Sequence, residues 1–178
     1  MPKYKGIATP EAILCFPSLF EPKKFEGSDK EKYEAILVFP KGTDISGLET
    51  LAKEAFREKF PKGATGARSP FRSGDEVADA WGEHFRGAAF IRVSSQIKPA
   101  IVDAGKRPIT EEDRVYSGCV VRAAVHAYAY DNKGNRGVSF GLDAIQVVRD
   151  GERLGGGSAG VGLFDDLSDG SAPDDIFG

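Results

Sequence analysis

The chain has 178 residues, 24 Lys and Arg against 27 Asp and Glu, a net charge of −3, 40% hydrophobic residues and 10% aromatic ones. That balance alone does not point to nucleic acid, and the length admits one real core, since a body of about 150 residues buries roughly 68–70% of its unfolded surface. The charge is uneven, however. No basic residue follows Arg153, while Asp165, Asp166, Asp169, Asp174 and Asp175 lie beyond it, so residues 1–153 carry 24 − 22 = +2 and the remainder −5. The expected organisation is therefore one near-neutral domain over 1–153 and a Gly-rich linker with an acidic tail over 154–178.

Two cysteines, Cys15 and Cys119, make neither a disulfide framework nor a zinc ribbon, even with His84 and His126 added. They read as buried thiols in a reducing cytosol. The apolar stretch near the N-terminus is broken by Pro10, Glu11 and Pro17, which excludes a signal h-region. No run approaches the ~20 apolar residues of a membrane span. A cytoplasmic protein without a membrane partner, metal or cofactor is the expectation.

In chain order, 12–20 reads as a strand interrupted by Pro17, and 33–39 as a second strand closed by Pro40. From Ser46 to Phe60, apolar residues recur at helical spacing, and Ser46 with Glu49 forms a Ser-x-x-Glu capping box. Residues 63–87 lack a sustained period and contain the only tryptophan, Trp81; they read as a long mobile connection with a short helix near 77–81. Strands return at 88–94, 100–102, 115–130 and 138–149, the last two flanking a turn composition at 131–135. Such a pattern fits a mainly β, OB-type antiparallel barrel with one inserted amphipathic helix; a small sandwich would show similar spacing.

The strand at 115–130 is the most informative. Cys119, Val121, Ala123, Val125, Ala127 and Ala129 share one small, apolar face, while Arg122, Ala124, His126, Tyr128 and Tyr130 share the other. The second face suits a single-stranded nucleic acid, because rings stack on bases of any sequence while cations follow the phosphates. Phe90 and Arg92 repeat the pattern on the strand at 88–94, with Arg86 and Lys98 flanking it. The competing reading is cross-strand packing of the tyrosines among solvated arginines.

Other motifs carry less. Gly155 to Gly160 spells Gly-x-Gly-x-x-Gly, but no helix pattern follows, so it reads as a flexible linker rather than a dinucleotide site. Asp75, Glu76, Asp79 and Glu83 offer a two-metal nuclease as the alternative function. A solvated charged face is their plainer reading. A structural or interaction module is a third possibility. The tail from 164 to 178 sets Leu167, Ile176 and Phe177 among aspartates. Over roughly 18 flexible residues it samples about 23 Å, enough to reach back over the body. It suits two roles: occupying a cationic groove when nucleic acid is absent, or docking Ile176 and Phe177 in a partner's pocket rimmed by Lys and Arg.

The stretches SPFRSGDE at 69–76, FEPKKFEGSDKEKYEAILVFPK at 20–41 and the long segment from Lys98 to Gly156 resemble a bacteriophage family of single-stranded-DNA-binding proteins once catalogued as a domain of unknown function. Val115 to Cys119 (VYSGC) and Tyr130 to Asn135 (YDNKGN) are its distinctive runs here. The resemblance implies an OB-type fold that coats single strands in phage replication, recombination or repair, without catalysis or cofactor, in the host cytoplasm. The Asp174-Asp175-Ile176-Phe177 end is similar to the acidic tips of bacterial single-stranded-DNA-binding proteins, although Gly178 follows here. That similarity implies replication or recombination proteins as tail partners. Homo-oligomerisation is left open.

Overall fold

A computed structural model of the chain describes residues 6–24 and 31–154. The glycine run and the acidic tail lie outside the described residues. The elements are β1 (Ile7–Ala8), β2 (Ala12–Lys24), β3 (Glu31–Phe39), α1 (Ser46–Lys59), β4 (Arg72–Ser73), α2 (Ala78–Trp81), β5 (Ala89–Ser95), β6 (Ala100–Val102), β7 (Val120–Asn132) and β8 (Asn135–Arg149).

Five strands close on themselves. β2 pairs with β3, β3 with β5 and β7 with both β8 and β2, all antiparallel, while β5 and β8 pair in parallel. The result is the mainly β, OB-type ring with one main helix that the strand pattern predicts. Strict alternation produces its inside: Leu14 of β2, Leu37 of β3, Ile91 and Val93 of β5, Val121 and Val125 of β7, and Phe140 and Leu142 of β8 are all buried in one cluster. The β7–β8 turn is tighter than the composition at 131–135 suggested. Only Lys133 and Gly134 connect the strands, both at positive φ (53° and 89°), as a type I′ turn requires.

α1 lies where its apolar spacing predicts, with Leu48 and Ala52 buried against the ring. Its start differs from the expected capping box. Ile45 occupies the N-cap with no side-chain bond, and the carboxylate of Asp44 instead accepts the Ser46 N–H at 3.0 Å. An Asx-type turn at Asp44, two residues before Ser46, thus competes successfully with the Ser46 hydroxyl.

The segment at 63–87 is not the loose connection its composition suggested. Ala78 and Phe85 are buried, and with Phe90, Ile36, Val38 and Cys15 they form a second core on the outside of β3 and β5. Trp81 packs edge-on against Phe85 and Phe90 at 5.5 and 5.8 Å. β3 is consequently buried on both faces. The order of this cover comes from tertiary packing, which local periodicity does not record.

Candidate nucleic-acid interface

Beside this second core, the outer face of β2, β3 and β5 is hollowed into a groove of about 660 Å³. Its floor begins at an irregularity in β2, whose register with β3 shifts between Cys15 and Ser18. There Phe16 takes a left-handed backbone (φ 48°), a conformation that costs a non-glycine residue of order 1 kcal/mol and is worth a functional question. The Phe16 N–H donates to the Ser117 hydroxyl at 3.0 Å, and its ring stands outward, 37% exposed. The ring meets Trp81 edge to face, centroids 5.4 Å apart.

Residues 115–117 and 150–153 build the opposite wall. The Tyr116 hydroxyl donates to the Gly151 carbonyl at 2.9 Å, and the Leu154 N–H donates to the Ser117 carbonyl at 3.0 Å. The Arg153 guanidinium lies 4.2 Å over the Tyr116 ring. The fit is close at Gly118 (φ 113°), where a Cβ would come within 1.8 Å of the Glu152 carbonyl oxygen. Arg92 projects from β5 into the same space. The lining carries Lys23, Arg92 and Arg153 against Glu34, a net 3 − 1 = +2. Three exposed or half-exposed rings and three cations in one depression provide the parts a single strand requires: faces for bases and charge for phosphates.

The residues expected from the sequence to line one face do not lie together. Arg92 is in the groove. Phe90, at 2% exposure, is a correction: its ring belongs to the second core and has no face free for a base. The alternation on β5 holds, with Ile91 and Val93 inside, but its outer side is covered at Phe90 and open at Arg92. Arg86 is also set apart. Its guanidinium is bound by Glu83 at 2.8 Å and Asp79 at 3.1 Å, which hold its charge in place and compensate it. Lys98 lies 5.2 Å over the Phe20 ring.

Arg122, His126, Tyr128 and Tyr130 do share the outer face of β7, but β8 and β2 separate that strand from β5 and β3. They form a second surface. The Arg122 Nε donates to the Thr9 carbonyl at 2.8 Å, and His126 Nδ1 lies 2.8 Å from an Asp143 carboxylate oxygen. The rings of His126 and Tyr130 rest on Gly141 and Gly137, the residues that face them across the β7–β8 ladder. Cross-strand packing accordingly explains most of this face. Tyr128, 39% exposed, is its open ring.

Phe16, Trp81, Tyr116, Lys23 and Arg153 line the groove without being among the residues the sequence pattern points to. Two carried a signal: Pro17 breaks the β2 pattern beside Phe16, and Trp81 is the only tryptophan. The alternative carboxylate cluster is dispersed. The Asp75 carboxylate accepts from the Gly87 N–H, Glu76 pairs with Arg72, and Asp79 and Glu83 pair with Arg86. Among the described residues, no group of three or more His, Cys, Asp or Glu is placed to hold a metal ion. None of the helices described is long and apolar enough to cross a membrane. Cys15 and Cys119 are both buried free thiols.

Comparison with known proteins covers nearly the whole chain. A family model described as the Enterobacter phage Enc34 ssDNA-binding protein matches residues 5–177. Putative protein p50 of Acyrthosiphon pisum secondary endosymbiont phage 1 is 36% identical over 169 residues, covering 87% of this chain and 90% of that protein. The single-stranded DNA-binding protein of bacteriophage Enc34, solved in complex with ssDNA, superposes with a TM-score of 0.73 at 18% identity, over 85% of this chain and 90% of that one. The single-stranded DNA-binding protein gp2.5 of bacteriophage T7 gives 0.64 at 12% identity, over 92% and 98%. At these identities, the two structures share a fold with this chain.

Proposed function

The chain belongs to the Enterobacter phage Enc34 ssDNA-binding protein family, and from that premise we propose that it coats single-stranded DNA, without sequence preference, in phage replication, recombination or repair. The observation that carries this reading is the groove on β2, β3 and β5, where Phe16, Trp81 and Tyr116 converge with Lys23, Arg92 and Arg153. Stacking supplies about 1–3 kcal/mol per base irrespective of sequence, and Arg92 and Arg153 fix the phosphates, while Lys23 is paired with Glu34 at 3.4 Å. A net charge of only +2 over residues 1–153 makes this local grouping, rather than bulk charge, the source of affinity.

The role is one of binding, with no bond made or broken, exercised in the host cytoplasm. The domain over 1–153 holds the strand. Tyr128, with His126, Tyr130 and Arg122, gives a longer strand a second contact as it leaves the groove, and Lys98 adds a phosphate contact. In the segment over 154–178, Asp165, Asp166 and Asp169 oppose the approach of phosphates, while Asp174, Asp175, Ile176 and Phe177 recruit replication or recombination proteins.

Titration with oligo-dT and with duplex DNA over a range of salt tests the reading. Preference for the single strand, with affinity falling linearly on a log–log salt plot, is the expected result. No binding to any single strand at low salt would sink it, and Mg²⁺-dependent cleavage would move the assignment to an enzyme.

A further inference from the structure

The groove on β2, β3 and β5 contains one group that phosphates do not call for, the carboxylate of Glu34. β3 holds it in mid-sheet, in register with Ser18 of β2 on one side and Ser94 of β5 on the other. Its side chain is only 12% exposed, and among the described residues its one ion-pair partner is Lys23, whose ammonium lies 3.4 Å from Oε1. Lys23 is itself 60% exposed, a weak compensation for taking a carboxylate out of water. No sealed side-chain oxygen among the described residues lacks a hydrogen-bond partner. The Glu34 Oε2, to which no described residue donates, is therefore open to the groove that Glu34 lines. A carboxylate there repels phosphates, so in a bound strand it has to face a base.

The edge of a base that such a pair fits best is that of guanine. Its Watson–Crick edge presents an acceptor, O6, followed by two donors, N1–H and N2–H. We propose that Glu34 and Lys23 form a guanine subsite, in which the two Glu34 oxygens accept N1–H and N2–H while the Lys23 ammonium donates to O6. Adenine and cytosine offer the carboxylate a single amino group. Thymine offers N3–H between two carbonyls, one of which then faces a carboxylate oxygen. Arg92, opposite Ile36 in the β3–β5 ladder, lies on the same groove and takes the phosphate. The inference rests on the groove being the strand site and refines that reading at one position. Elsewhere a base is held by its ring face, whatever its identity, and the protein still coats any sequence; here one base is also read by its edge.

The test titrates the full chain with three 16-mers, dT16, d(TTTG)4 and d(TTTI)4, in which I is deoxyinosine. Inosine keeps the purine ring and O6 but lacks the N2 amino group, so it separates edge reading from the stronger stacking of a purine. Isolated guanines also avoid quadruplexes. The guanine oligomer is expected to bind about fivefold tighter than the inosine one, at the lower end of what a bidentate base contact gives. In Glu34→Gln, which keeps the shape but offers one acceptor, the ratio is expected to fall to within about twofold of unity, while dT16 affinity holds or rises. Equal affinities for the guanine and inosine oligomers in the native chain would overturn the subsite alone, provided dT16 binds. A guanine preference that persists in Glu34→Gln would overturn it too. Failure of all three oligomers to bind would overturn the strand reading and the subsite together.

Discussion

Phe16 and Trp81 meet edge to face at 5.4 Å, with their rings inclined at 70°, although 65 positions separate them in the sequence. One ring is turned outward by an irregularity in β2. The other stands on a second core built outside the ring of strands. Their meeting creates the aromatic end of the groove.

Phe16→Ala removes a base-stacking face that contributes little to the core. Loss of ~1–2 kcal/mol, about 5- to 30-fold in oligo-dT affinity, is expected, with the urea midpoint almost unchanged because the ring is 37% exposed. Parallel titrations and urea melts of the two proteins decide the point. A large loss of stability with normal affinity would make Phe16 a packing residue.

Arg92 and Arg86 separate a phosphate contact from a compensated surface charge. Arg92→Ala should reduce the steepness of the salt dependence by about 0.7, the value of one phosphate contact on a single strand. Arg86→Ala should leave the slope alone, because Glu83 and Asp79 already neutralise that guanidinium. The plot of log affinity against log salt for both variants is the check; equal slopes would remove Arg92 from the interface.

The split of the expected face shows what was legible in the sequence and what was not. Alternation along β7 separates Val121, Ala123 and Val125 from Arg122, His126 and Tyr128, and the fold reproduces this because a strand's side chains alternate whatever it pairs with. Which outer faces become neighbours depends on ring order, a long-range property that one strand does not encode. Phe90 illustrates the consequence: its outward direction was readable, but its cover by Ala78, Phe85 and Trp81 was not. The helix at 46–59 was plain from its period, whereas its start was decided by Asp44, two positions outside the expected capping box.

Gly118 joins stability to the groove wall. Its φ of 113° is strained for any other residue, and a Cβ would strike the Glu152 carbonyl at 1.8 Å. Gly118→Ala should destabilise by about 2–4 kcal/mol, as strain at a special backbone position does, and should displace Arg153 from Tyr116. Urea denaturation combined with oligo-dT titration at low temperature should show both effects. An unaltered midpoint would mean that the 150–154 segment is not fixed as described.

Burial, with the neighbouring Cys119 as a smaller cause, pushes the Cys15 thiol up to about 12. An unfolded cysteine titrates near 8.5, so above that pH the unfolded chain releases a proton that the folded one retains. This contribution to stability is therefore full below about pH 8.5 and is lost as pH rises from there toward 12. Melting temperatures of the native chain and of Cys15→Ala should converge over pH 8.5 to 10. A constant difference would show that Cys15 titrates normally in the fold.

The placement of the single strand is tested most directly by the chain's one tryptophan, which lies in the groove. A base stacked beside Trp81 quenches its emission, and no other residue contributes to that signal. Oligo-dT should quench tryptophan fluorescence saturably, and added salt should restore it in step with dissociation followed by gel shift. Full binding by gel shift with unchanged tryptophan emission would place the strand elsewhere, on the outer face of β7, and would contradict the account.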